Sequence, residues 1–408
     1  MKNVLFLQKF IIMKIKLFKL PLLARIGIAI LLGIALGQFL PLSIARVFAT
    51  FNDLFSEFLS FIIPLIILGL ITPAISELGK GAGRLLLITA LIAYVSTLFS
   101  GFFTLVSCES VFPYILSEGV DAGLLESADS VTPEAFFSIS IPPLFDVMSA
   151  LVLSFSLGLG LTVIKGNTLQ QAFVDFRDVI TLIIQSVIIP LLPLYIFGMF
   201  LSISISGEVF VVISLFLKVI LVIFILHILL LVFQFLIAGA ISKRNPFKAL
   251  KNMLPAYATA LGTASSAATI PVTLDCTLKN KVDPNIASFT IPLCATIHLA
   301  GSTMKIVGFA LAILHFYNMP IDYLTFTGFI FMVGIAMVAA PGVPGGAIMA
   351  AMGVIQSMLG FDEQMIGLMI TLYIAVDSFG TACNVTGDGA IAMVVNRISS
   401  LRRNFTTE

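Results

Sequence analysis

Apolar stretches of spanning length recur from Leu22 onward, parted by short polar connections. About twenty apolar residues, wound as a helix, cross a hydrocarbon layer of roughly 30 Å. On that measure the pattern predicts spans over 22–41, 52–75, 84–107, 137–164, 179–203 and 210–240. Past 240 the pattern changes. Segments 248–262 and 269–278 are each too short to cross, and Gly262-Thr-Ala-Ser-Ser-Ala-Ala-Thr separates them, a small-polar stretch unfavourable against lipid. A full span is predicted over 286–316, then a second broken pair, 324–339 and 347–360, joined by Ala340-Pro-Gly-Val-Pro-Gly-Gly346, and a last span over 364–396.

The last span carries a polar stripe. Asp377, Thr381, Asn384 and Asp388 stand at offsets of four, seven and eleven residues, which return to nearly the same angle on a helix. Two carboxylates at membrane depth cost several kcal/mol unless paired, protonated or coordinating a cation, so the stripe marks a functional site.

Composition widens this into a class. Of 408 residues, 59% are hydrophobic and 11% charged, with a mean hydropathy of +1.13. A soluble chain of that length cannot bury so much apolar surface, so the fold class is an all-α polytopic membrane protein. The net charge of +1 and the want of a basic-aromatic patch give no sign of nucleic acid as a partner. Cys108, Cys276, Cys294 and Cys383 are scattered and read as small core residues. Residues 1–21 read as a basic amphipathic lead-in rather than a signal peptide.

Charge also orients the spans. Lys2, Lys9, Lys14, Lys16, Lys19 and Arg25 place the N-terminus in the cytoplasm, and Lys80, Lys165, Lys243, Lys279 and Arg397 fall on the same side. Glu109, Glu118, Asp121, Glu208, Asp322 and Asp362 fall outside. Each broken pair must then enter and leave on one side, the first from the cytoplasm and the second from outside. Two re-entrant helical hairpins of opposite orientation, each followed by a span, form inverted repeats with non-helical tips near the midplane. Alternating-access transporters build substrate sites in this way.

Four motifs resemble one family, the dicarboxylate/amino acid:cation symporters that include the glutamate transporters. Thr263-Ala-Ser-Ser-Ala-Ala-Thr-Ile-Pro-Val-Thr273 resembles the family's serine-rich first tip, and Pro292-Leu-Cys-Ala-Thr-Ile-His-Leu-Ala-Gly-Ser302 its unwound seventh helix. Pro341-Gly-Val-Pro-Gly-Gly346 resembles the second tip, one residue shorter, and Asp377-Ser-Phe-Gly-Thr-Ala-Cys-Asn-Val-Thr-Gly-Asp388 the eighth-helix signature. The detailed match covers about 245–398. It implies a glutamate-transporter-like fold of eight transmembrane helices plus the two hairpins, assembled as a homotrimer in the cell (inner) membrane. Residues 22–75 and 137–203 would form a static scaffold. Residues 84–107 and 210–398 would form a mobile transport domain, with an extracellular loop at 108–136 and a cytoplasmic tail at 399–408.

The resemblance also implies roles. Asp377 would pair with a substrate ammonium, against the plainer alternative of a carboxylate bonded to backbone at a helix break. Thr381, Asn384 and Ser302 would hydrogen-bond the substrate. Ser265 and Ser266 would bind its carboxylate or, alternatively, only cap a helix. Gly342 and Val343 would close over the substrate as a gate, or form a plain turn. Asp388 would be a sodium ligand or a proton site, helped by Asn384, Cys294, Thr296 and His298, several of them through backbone carbonyls.

The departures narrow the substrate. Where acidic amino acid transporters of the family carry an arginine in the eighth helix, this chain has Gly380, and a second arginine of the first tip is Ala264. A side-chain carboxylate would lack its guanidinium, so small neutral amino acids (serine, threonine, alanine) are expected, and Gly380 leaves room for somewhat larger side chains. His298-Leu299-Ala300 replaces an Asn-Met-Asp motif, so fewer coupled ions are expected. Sodium is the expected coupling ion, protons through His298 are a second option, and no cofactor is implied. Lys305 could snorkel, pair with an aspartate, or stand in as a fixed charge for a missing cation. The alternative substrate class is acidic, with Lys305 or His298 replacing the arginine. An intramembrane enzyme is disfavoured because Asp377 and Asp388 lie about 16 Å apart along an ideal helix. A channel is disfavoured by the gated two-hairpin site.

Overall fold

Away from its ends a helix satisfies its backbone polar groups within its own segment, as an apolar environment requires. Every regular element among the described residues of the computed structural model (20–79, 84–116, 133–207, 209–341 and 344–405) is helical. In order these are α1 (Leu22–Gly37), α2 (Leu42–Gly79), α3 (Arg84–Ile115), α4 (Val147–Val163), α5 (Thr168–Ile183), α6 (Ile189–Ile205), α7 (Val209–Ser242), α8 (Pro246–Thr263) and α9 (Ser266–Lys279). Then follow α10 (Pro284–Ile297), α11 (Ala300–Phe316), α12 (Tyr323–Ala339), α13 (Gly346–Leu359), α14 (Glu363–Ala375) and α15 (Asp377–Phe405).

Among the described residues, five helices are long and apolar enough to cross a membrane, and the pair α14–α15, bent by 60°, makes a sixth candidate. α1, with 16 residues, and α4, with 17, fall short of a full span, and so do α12 and α13. The expected first span, 22–41, ends as helix at Gly37.

Other boundaries move for local reasons. The span expected at 137–164 begins only at Val147, because Pro142 and Pro143 cannot continue a helix and Asp146 caps the start, accepting from Ser149 N at 2.8 Å. The span expected at 179–203 begins at Thr168 and runs through a π-helical turn, Ile184–Ile188, into α6. Its polar first turns, which masked it, are held partly by a Gln171–Asp175 hydrogen bond of 2.9 Å at helical spacing. α2 begins ten residues before the expected 52, and α3 carries eight residues beyond 107, so 108–115 belongs to a helix rather than a loop. The rest of that loop expectation lies largely outside the described residues, as do most of the N-terminal lead-in and the last three residues. All four cysteines are buried and free.

Two groups of helices pack internally. α2 lies against α4, α5 and α6, and α1 against α6. α15 lies against α7, α8, α9, α10 and α11, while α3 packs on α11 and α12. The groups meet where α12 and α13 touch α2 and where α14 touches α1 and α6. α11 is buried along nearly its whole length, Ser302, Thr303 and Lys305 included, as befits a central helix.

α8 and α9 run antiparallel, joined side by side by Asn252 Nδ2 donating to Asn280 Oδ1 (2.8 Å) and Asn280 Nδ2 to Ala249 O (3.0 Å). Their turn holds Ala264 in the left-handed region (φ 49°), uncommon for a residue with a side chain. α12 and α13 double back likewise, since a Cβ at Gly328 would touch Met358 while a Cβ at Gly346 would strike Pro341. Each pair is followed by a broken helix: α10–α11 at His298–Leu299, and α14–α15 at Val376.

Candidate functional site

The two helix breaks face each other at the centre of the second group. A Cβ on Gly301 would lie 2.7 Å from Gly380 O and from Cys383 Cβ, so α11 and α15 approach more closely here than side chains allow. Breaks leave backbone N–H groups unpaired, and one polar stripe meets them. Asn384 Oδ1 accepts from Gly301 N (2.8 Å) and Ser302 N (3.3 Å), capping the start of α11 from another helix. Its amide nitrogen donates to Ser302 Oγ at 3.1 Å, and Tyr373 Oη donates to the same oxygen at 3.0 Å.

Asp377 opens α15, where the helix dipole favours a negative charge. Its Oδ2 accepts from Gly345 N at 2.8 Å, at the left-handed N-cap of α13. Its Oδ1 accepts from Lys305 Nζ at 3.0 Å, and that ammonium lies 3.6 Å from the centre of the Tyr373 ring. Lys305 is fully buried, and a Cβ on Gly380 would come within 2.6 Å of its Nζ. Of the options open for Lys305, the structure shows the ion pair with an aspartate. The room expected beside Gly380 is taken by the lysine: a glycine on α15 makes space for a cation from α11.

Eleven residues along α15, Asp388 is 1% exposed. His298 Nδ1 lies 2.8 Å from Asp388 Oδ1, and its Nε2 lies 3.1 Å from Ser96 Oγ, which also accepts from Gln234 Nε2 at 3.0 Å. His298 therefore meets Asp388 with its side chain. Among the described residues, Asp388 Oδ2 has no hydrogen-bond partner. That buried, unpaired carboxylate oxygen beside unwound backbone is the donor chemistry a small hard cation takes. Cys294 O accepts from His298 N (2.9 Å), while Thr296 is exposed and its hydroxyl turns back to Leu293 O at 2.8 Å.

A small cavity of about 30 Å³ sits between the breaks, lined by Ser266, Thr296, Ser302, Tyr373, Asp377, Thr381 and Asn384 among others. Thr381 Oγ1 donates back to Asp377 O at 3.0 Å. Ser266 is buried on the cavity, whereas Ser265 caps α9, accepting from Ala268 N at 3.3 Å. Of these two serines, then, the helix-capping alternative describes Ser265. Gly342 and Val343 lie outside the described residues. The structure thus gathers Ser266, Ser302, Asp377, Gly380, Thr381 and Asn384 in one place, and His298 with Asp388 in a second.

Sequence reading missed Tyr373, Gly345, Ser96, Gln234 and His227, whose Nε2 lies 3.0 Å from Gly301 O. For His227 and Gln234 a signal existed, since they are the two polar side chains of the otherwise apolar stretch 219–238. Gly345 contributes only a backbone N–H, which no side-chain pattern reveals.

Residues 22–398 match the sodium:dicarboxylate symporter family. Serine/threonine transporters SstT of Acinetobacter baumannii strains AYE, AB307-0294 and AB0057 are each 26% identical to this chain over 386 residues, covering 91% of it and 95% of each relative. With the family matched along nearly the whole chain, the conclusion is plain: this is a multi-pass membrane protein of the sodium:dicarboxylate symporter family, a family of secondary transporters and not of enzymes.

Proposed function

We propose that the chain is a sodium-coupled symporter for small neutral amino acids of the size of serine, threonine or alanine. One observation carries the choice of substrate: Asp377 is the only charged side chain among the described residues lining the cavity, and the buried cation beside it is already committed to it. A zwitterion brings an ammonium for Asp377 and a carboxylate for neutral donors. Those donors are at hand: the N-terminus of α9 at Ser266, the second N–H of the Asn384 amide, and Ser302, which accepts two hydrogen bonds and keeps its own proton to donate. The similarity to serine/threonine transporters supports this reading.

Sodium is the co-transported cargo. Asp388 Oδ2 and the carbonyls around the His298–Leu299 break would hold it. The α8–α9 and α12–α13 pairs act as re-entrant hairpins in a plan of eight spans. The group built on α3 and α7 to α15 moves as an elevator against the scaffold of α1, α2 and α4 to α6, in a homotrimer whose termini face the cytoplasm of the inner membrane. Proton coupling is the second option for the ion. A second substrate reading is acidic, and it has one observation of its own: Lys305 Nζ lies against Gly380, where an arginine would be rooted.

Thermal stabilisation of the purified protein separates the two. Serine or alanine should raise the unfolding midpoint in sodium but not in potassium, with aspartate ineffective. Stabilisation by aspartate alone would reverse the assignment.

A further inference from the structure

Lys305 is the one buried lysine among the described residues, and the site is shaped around it. Its stem passes Gly380, where any side chain would collide with it, and its ammonium ends 3.0 Å from Asp377 Oδ1 and 3.6 Å from the Tyr373 ring centre. Asp377 Oδ2 is bound to Gly345 N, so Oδ1 is the atom that one ammonium or another must share. A substrate amino group and the Lys305 amino group are the same chemical species, a primary ammonium with three donors.

Resting on the amino acid reading above, we propose that Lys305 is a tethered stand-in for the substrate's ammonium group. It holds Asp377 whenever substrate has left, and an arriving amino acid displaces it. A carboxylate stripped of its partner at membrane depth is costly, so a carrier with a bare Asp377 would be held back from crossing without cargo. The resident lysine removes that barrier. The unloaded transport domain keeps its charge balance and its Asp377–Gly345 bond, and it returns without a counter-transported cation. A substrate must also bring an ammonium to exchange for Lys305, so an α-hydroxy acid of the same shape is refused.

Proteoliposomes test this in three arms. In the wild type, sodium-driven net uptake of serine or alanine should be the same, within about twofold, whether the lumen holds potassium or only N-methylglucamine; a tenfold dependence on luminal potassium would overturn the proposal. In Lys305→Gln, net uptake should fall at least about tenfold more than exchange against preloaded serine or alanine, because exchange never requires an unloaded return. Luminal methylammonium, a free ammonium of the right size, should restore net uptake in that variant, which a merely structural lysine would not allow. Loss of net uptake and exchange in equal proportion without rescue overturns the proposal, as does unimpaired net uptake. A wild type that neither accumulates nor exchanges serine or alanine under a sodium gradient sinks the amino acid reading and this inference with it. Uptake that is intact in the wild type but dependent on luminal potassium sinks this inference alone.

Discussion

Lys305 and Gly380 are complementary: the missing side chain of one is the space that the other's ammonium fills, with 2.6 Å between Nζ and the place a Cβ would take. Substitutions at these two positions are therefore coupled, since residues in direct contact do not contribute independently. Gly380→Arg alone puts a guanidinium into occupied space and should cripple transport. Gly380→Arg with Lys305→Ala vacates that space and should shift preference from serine toward aspartate by at least about tenfold, since a bidentate partner for the second carboxylate then exists. Competition of the two amino acids for uptake checks this, and an unchanged preference in the double variant would count against the selectivity account.

Asp377 joins three elements, through Lys305 on α11, Gly345 at the head of α13, and its own place at the start of α15. Asp377→Asn should abolish sodium-dependent serine binding. It should also destabilise the fold, because breaking a buried pair typically costs about 3–5 kcal/mol. Wild-type affinity in a stably folded Asp377→Asn protein would remove the ammonium role.

Asp388 presents an unpaired Oδ2 and a His298-bound Oδ1. Asp388→Asn removes the charge and keeps the shape. It should raise the sodium concentration needed for half-maximal serine uptake by about tenfold or more, the effect of losing a charged ligand worth upwards of ~1.4 kcal/mol. An unaltered sodium dependence would take Asp388 out of the cation site.

The stripe on α15 was legible because helical periodicity alone puts Asp377, Thr381, Asn384 and Asp388 on one face of an apolar helix, and the two broken pairs were legible as apolar segments too short to span. What sequence periodicity cannot carry is contact between helices. The pairing of Lys305 with Asp377, of His298 with Asp388, and the capping of α11 by Asn384 all join residues more than seventy positions apart. Gly380 shows the limit most clearly. As a missing arginine it reads as open room, and only the packing of α11 against α15 reveals that a lysine fills it. Helix ends were misplaced where capping or polar first turns outweighed hydropathy, as at Asp146 and along Thr168–Arg177.

Sodium-driven symport of small neutral amino acids is put to the test by uptake into proteoliposomes under an imposed gradient. An inward sodium gradient should drive accumulation of labelled serine or alanine, with aspartate taken up at least about tenfold more slowly at equal concentration. Accumulation of aspartate at a rate equal to or above that of serine and alanine, or uptake indifferent to sodium, would contradict it.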